Sequence, residues 1–212
     1  MKRIDLNYDG LSGQVYIYIK KMILSGEFKA GHKIHEEKVG QLFVVSRTPI
    51  REALKKLSEY GLVNLKPRSH AVVASLTPEE AVQLAHIRAQ LEALSTKLLA
   101  EAGTNRDFDQ LSSIADECDL LIADGDVAGA FEQDSYLHLE IARRTKNAHL
   151  YEIIEKLDAK IQLSRLIIKL PVDRLENFIN QHTKIIQALR RRDRELAETL
   201  MRHHILHQLS YF

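Results

Sequence analysis

A single cysteine, Cys118, occurs in 212 residues, which rules out an internal disulfide or a thiolate zinc cluster. Its simplest reading is a core thiol. No run approaches the roughly 18 to 20 uninterrupted apolar residues that a membrane span needs. Met1-Lys2-Arg3 leads into acidic and polar residues rather than an apolar signal segment. These two absences predict a protein without membrane contact, working in the cytoplasm. Low-complexity segments and short-period repeats are also missing, and 45% apolar with 28% charged residues is a globular mixture, not a disordered one. Net charge is scarce as well, at +1, which at face value speaks against a nucleic-acid binder. The average conceals a division. Residues 1–76 hold 13 Lys and Arg against 7 Asp and Glu, whereas the remainder holds 17 against 22. A basic first third on an acidic body is the pattern of a DNA-binding module joined to a domain with other work.

Periodicity gives the organisation. Over residues 11–25, Val15, Ile19, Met22 and Ile23 share one helical face, and Gly26 suits the end of that helix. Two short helices follow, Glu36 to Phe43 and Thr48 to Tyr60. Ser46 or Thr48 can cap the second, with Pro49 in its first turn and Gly61 as its stop. Residues 62–65 and 71–74 read as two strands around the polar turn Lys66-Pro67-Arg68-Ser69-His70. From Thr77 onward strand signals vanish. Six helices are predicted, at about 77–102, 106–123, 126–144, 147–169, 174–191 and 193–209, with breaks that include Asp124-Gly125 and Leu170-Pro171. The predicted fold is mostly α, with a winged helix-turn-helix over 1–76 and an all-α antiparallel bundle over 77–212.

The string from Val45 to Leu54, VSRTPIREAL, is the most informative in the chain. A helix N-terminus offers free N–H groups and partial positive charge to a phosphate, and Ser46, Arg47 and Thr48 add side-chain donors there. Arg51 lies one turn beyond Arg47, where a guanidinium can reach a guanine edge in the major groove. Ile50, Ala53, Leu54 and Leu57 form the opposite, apolar face. With the preceding short helix and the following hairpin, residues 11–74 resemble the GntR family of bacterial regulators. The resemblance implies double-stranded operator DNA as partner. The DNA-contacting candidates are Ser46, Arg47, Thr48, Pro49 and Arg51 on the helix, and Arg68 and His70 in the wing. Two departures stand out. Val44 occupies the usual turn glycine, where a β-branched residue disfavours the left-handed conformation. His70 occupies the usual wing-tip glycine, where it can donate to a phosphate or stand as an exposed turn residue.

In the acidic body, Asp134 and His138 stand four apart on one predicted helix, and His182 and His204 lie on two others. Three imidazoles and a carboxylate inside a bundle suit a borderline divalent metal with coordination positions left open. Spacing alone is a weak sign. Arg88-x-x-x-Glu92, DSYLH followed by Thr145-Lys146-Asn147, and then His182, Ala188, Asp193, Ala197, Met201 and His204 resemble the FCD effector domain of the FadR-like branch of that family, in its shorter, VanR-like form of six helices. The resemblance implies that Asp134, His138, His182 and His204 hold one ion, with zinc or nickel favoured by ligand type and manganese as a further choice. Leu137 and Gln181 replace a common Phe and Glu without removing a ligand. His203 points about 100° away from His204 and is read as non-ligating. Arg88 can hold a small carboxylate effector through its fork of donors, or simply pair with Glu92.

The resulting expectation is a homodimeric, ligand-controlled regulator, with repression as its sign, and no enzyme. Two other readings use the same residues. A metal-dependent hydrolase would use the open positions to activate water, but it leaves the winged helix unexplained and has no evident general base. An architectural DNA-binding dimer would need only a structural metal.

Overall fold

The structure, a computed structural model, describes residues 10–67, 70–166, 175–207 and 209, without the side chains of 175–180. Two compact units meet at the junction of Leu76 and Thr77. In the first, α1 (Gly10–Leu24) buries Val15, Tyr16, Ile19 and Ile23, the expected face with Tyr16 added and Met22 only half-buried. Then come β1 (Lys33–His35), α2 (Glu36–Phe43), α3 (Arg47–Glu59), β2 (Val63–Lys66) and β3 (His70–Val73). The helix-turn-helix and hairpin agree with expectation, but the sheet has three strands, not two. Its order is β1-β3-β2, all antiparallel, with Ile34 opposite Ala71 and Val63 opposite Val73. β1 was not foreseen because three residues with one apolar side chain carry no periodicity; only pairing with β3 makes them a strand.

Two local expectations are corrected. His70 is not a turn residue. It opens the central strand, half-buried, in register with Lys66 on one side and His35 on the other. Val44 does adopt the left-handed conformation, at φ 54° and ψ 46°. The turn forces it: the Val45 N–H donates to the Gly40 carbonyl at 3.1 Å, closing α2 in a Schellman-type end. The Val44 side chain is 91% exposed and collides with nothing beyond its own backbone.

The second unit is helical throughout its described residues: α4 (Pro78–Ala102), α5 (Asn105–Ala123), α6 (Val127–Arg144), α7 (Ala148–Arg165), α8 (Leu175–Arg190) and α9 (Arg194–His207). The predicted break at Leu170-Pro171 lies outside the described residues. Each of the first four helices starts at a side-chain cap. Thr77 with Glu80 and Thr104 with Asp107 form reciprocal capping boxes, and Asp126 and Asn147 accept from the N–H three residues on. Gly103 ends α4 in tight quarters, since a Cβ there would lie 2.7 Å from the Leu99 carbonyl oxygen. Arg192, left-handed at φ 59°, turns α8 into α9. It donates to the Gly103 and Ala100 carbonyls, with its guanidinium 4.7 Å over the Phe108 ring. The core joins Leu99, Phe108, Leu111, Leu137, Ile141, Ile185, Leu189, Met201 and Ile205. Cys118 lies buried in this unit, its thiol pushed up to about 12 by burial first and by Asp134 second, which makes it an inert core thiol.

Candidate DNA-reading helix and candidate metal centre

α3 has the two faces the sequence asked for. Ile50, Ala53, Leu54 and Leu57 are at most 2% exposed and anchor the helix. At its start, Ser46 takes the cap position without a side-chain hydrogen bond, so its hydroxyl is left for another acceptor. Ser46, Arg47 and Thr48 are exposed, and Pro49 is half-buried. Arg51 is 61% exposed by side chain, yet its Nε donates to both carboxylate oxygens of Glu36 at 3.0 and 3.2 Å. That contact fixes the direction of the guanidinium from the first residue of α2. Glu36 was not singled out from sequence, where it is only an acidic residue in a first turn. Arg68 lies outside the described residues.

In the second unit, Asp134 and His138 from α6, His182 from α8 and His204 from α9 converge, all at most 6% exposed. Asp134 Oδ1 lies 3.2 Å from His182 Nε2 and 3.4 Å from His138 Nε2. His204 Nε2 lies 3.2 and 3.3 Å from the Nε2 atoms of His182 and His138. The outer nitrogens decide the tautomers. His204 Nδ1 is 2.9 Å from Gln181 Oε1, an atom that only accepts, so Nδ1 carries the proton. His138 Nδ1 is 2.5 Å from Glu92 Oε2, an ion-pair contact more than an aligned hydrogen bond, and it too is the protonated nitrogen. Both rings therefore aim an Nε2 lone pair at the same point. Lone pairs this close repel unless a proton or cation lies between them.

The charges around this point are balanced in pairs. Burial would raise Glu92, but Arg88 and then His138 outweigh it and bring the carboxyl down to about 2. Burial opposes ionisation of Asp134 likewise, and Arg165 and His138 overcome it, holding the group well below the usual range. Burial and two neighbouring imidazoles push His204 well below the usual histidine value. For His138 burial also acts downward, but Glu92 and Asp134 raise it.

These residues fit an ion on two counts. Donor spacings of 3.2–3.4 Å match the edges of a polyhedron with metal–ligand bonds of about 2.1 Å, and one ligand atom from each of the four lies within 4.8 Å of every other. Three of the four are oriented by a further residue, as in a metal site: Asp134 by Arg165, His138 by Glu92 and His204 by Gln181, while His182 Nδ1 has no hydrogen-bond partner among the described residues. Arg165 was missed from sequence. It donates to Asp134 Oδ2, to the Phe131 carbonyl at 2.8 Å and to Ser135 Oγ at 3.3 Å, and stacks on Phe131. Nothing in a lone arginine 31 positions from its carboxylate signals that role. Gln181, read as a neutral replacement, orients His204. Arg88 donates from Nε to Glu92 Oε1 at 2.6 Å, both residues 3% exposed; the internal pair exists, and it also holds His138. Among the described residues the terminal Nη groups of Arg88 have no hydrogen-bond partner.

Known proteins share both units. The signature described as bacterial regulatory proteins, gntR family, covers residues 11–73, and that of the FCD domain covers residues 83–207. The chain belongs to the GntR family, with an FCD domain behind its helix-turn-helix. Among relatives of this GntR protein, the HTH-type transcriptional regulator YdhC of Bacillus subtilis is 27% identical over 93% of this chain and 89% of its own length. The gluconate operon transcriptional repressor of Bacillus licheniformis is 30% identical over 84% of this chain and 75% of its own. The fold matches that of E. coli McbR/YncC, with a TM-score of 0.84 at 21% identity over 96% of this chain and 97% of that one. The two Bacillus relatives are named as transcriptional regulators, and the hydrolase reading of the buried histidines is set aside.

Proposed function

We propose that this GntR regulator is a cytoplasmic repressor in which residues 1–76 read operator DNA as a homodimer, and residues 77–212 bind a small organic acid that alters DNA affinity. Repression is supported by the name of the Bacillus licheniformis relative. The observation that carries ligand control is the buried convergence of Asp134, His138, His182 and His204.

Asp134, His138, His182 and His204 would hold a divalent ion, zinc or nickel before manganese, whose charge and open coordination positions supply a landing place for a carboxylate. Glu92, Gln181 and Arg165 orient the ligands. Because three ligands are neutral and Arg165 offsets Asp134, the chain leaves the ion's charge largely uncompensated, which favours an anion. The Nη groups of Arg88 would take its far oxygen or a second acid group. Ser46, Arg47, Thr48, Pro49 and Arg51 would meet DNA on α3, with Arg68 and His70 following in the wing. Regulation requires the acid to prefer one arrangement of the two DNA-reading helices in the dimer, since equal affinity for both shifts nothing.

The test is titration of a panel of carboxylic acids into metal-loaded and chelator-stripped protein, read by operator binding. A regulator of this kind loses DNA with one acid in the panel and only when loaded. An acid acting equally on stripped protein removes the metal from the mechanism. A chelator-stripped sample that never differs from the loaded one, with no acid acting, leaves the architectural dimer.

A further inference from the structure

The outer face of the winged sheet carries a row of basic side chains that the DNA-reading helix does not account for. Ile34, Ala71 and Val73 are buried on the inner face, so strand alternation sends Lys33 and His35 of β1, and His70 and Val72 of β3, to the other. Register completes the row. His70 stands between His35 on β1 and Lys66 on β2, and directly opposed residues share a face. The His35 and His70 rings lie 6.0 Å apart, centroid to centroid, tilted by 33°. His35 and Lys66 are exposed and His70 is half-buried. Neither imidazole has a hydrogen-bond partner among the described residues. The strands place no carboxylate beside them: the next row on this face is Lys33, Val72 and Asn64. Of the acids that open α2, Glu36 is buried and paired with Arg51, and Glu37 is exposed beside Lys38.

We propose that His35, His70 and Lys66 form a proton-gated seat for a backbone phosphate of DNA, so that operator affinity rises as the medium becomes acidic. The proposal rests on the DNA-reading function given above for residues 1–76 and adds a regulation to it. Position supports it. The row lies at the end of the sheet where the hairpin turns, and His35 is followed directly by Glu36, whose carboxylate holds Arg51 of α3. The row and the DNA-reading arginine therefore belong to the same end of the unit. Charge supplies the gate. Lys66 is a fixed cation, whereas an imidazole becomes one only by taking up a proton, as histidines do near pH 6.5. Three cations on strands about 4.8 Å apart oppose one another, and a phosphate among them turns that repulsion into attraction. Protons are therefore taken up as DNA is bound. By linkage, affinity is greatest below the usual imidazole range and is lost as pH rises through it. Lysines in these two places would hold a phosphate at every pH; imidazoles hold it conditionally. Packing does not account for them, since Ile34, Ala71 and Val73 fill the buried side.

Fluorescence anisotropy of the full chain, on a duplex that the wild type selects from a random-sequence pool, tests this at about pH 6 and about pH 8 across a salt series. Each phosphate contact is worth about fivefold in affinity at about 0.15 M salt. Wild type should bind about tenfold more tightly at the lower pH, and its slope of log affinity against log salt should steepen there by about one to two. His35→Gln/His70→Gln should lose both effects. His35→Lys/His70→Lys should show the acidic behaviour at both pH values. The metal centre is common to all three proteins, so the differences among them isolate the row. A glutamine pair that keeps the wild-type pH dependence, or a wild type without any, overturns the seat and leaves DNA reading intact. Failure of the wild type to select any duplex overturns DNA reading itself. Should the glutamine variant misfold by circular dichroism, the lysine variant decides, and a pH dependence in it equal to that of wild type overturns the seat.

Discussion

Two residues show how local geometry translates into measurable energies. Val44 holds a left-handed conformation that costs an L-residue about 1–2 kcal/mol, with its side chain in solvent. Val44→Gly removes that strain and gives back about 0.5–1 kcal/mol through the greater freedom of unfolded glycine. A net gain of roughly 0.5–1 kcal/mol is expected, read as a higher urea midpoint at unchanged slope; a lower midpoint would show that the turn is not strained. Glu92 is the second. It joins Arg88 at 2.6 Å to His138 at 2.5 Å, so Glu92→Gln should weaken divalent-metal affinity by about 10- to 100-fold while all four ligands remain. Chelator competition gives the number, and unchanged affinity would mean that Glu92 does not orient His138.

At the scale of elements, α3 and the junction of α5 with α6 make separate predictions. Arg47→Ala and Arg51→Ala should each weaken specific operator binding by about 1–3 kcal/mol where the guanidinium makes a bidentate base contact. Wild-type footprints from both would remove α3 as the reader. At the junction, Arg144 from the last turn of α6 bonds Asp107 in the first turn of α5 and Glu140 on its own helix. Asp107 is lowered first by the Thr104 hydroxyl and then by its backbone; for Glu140, burial acts upward and Arg143 and Arg144 overcome it. A carboxylate lowered on folding contributes stability that is complete above its unfolded value, 3.8 for Asp107 and 4.5 for Glu140, and lost as pH falls through the folded one. Asp107→Asn/Glu140→Gln should therefore flatten the loss of stability below about pH 4.5, measured by urea unfolding across pH. An unchanged slope would sink the assignment. These elements also show what the sequence discloses. Apolar periodicity and breaks such as Asp124-Gly125 made the helices from α4 onward legible to within a few residues wherever they are described, while the caps at Thr104 and Asp126 that set their starts came with the structure. β1 was not, because its existence depends on a partner strand nearly 40 positions away. The four metal-ligand candidates were legible as residue types on amphipathic helices, whereas Arg165 and Gln181 gain their roles only when α6, α7, α8 and α9 meet.

For the whole molecule, the spacing of the buried donors along the chain has a mechanical side. His138 and His204 stand 66 positions apart, and His182 and His204 22 apart. An ion shared among them closes loops of those lengths, and removing loop entropy from the unfolded chain is the work that disulfides do elsewhere. With one cysteine, this chain has no covalent way to do it. The closure would be undone by a chelator where a disulfide needs a reductant. It would also divide the polymer into a part that can be stretched and a part that cannot. Pulled from its two ends, metal-loaded protein should keep the circuit from Asp134 to His204 shielded from force until the ion lets go. It should then release roughly 240 Å of contour, at about 3.3–3.6 Å per residue, in one step. Stripped protein should pay out the same length without that late event. Identical force traces with and without metal would show that the four donors do not share an ion strong enough to tie the helices together.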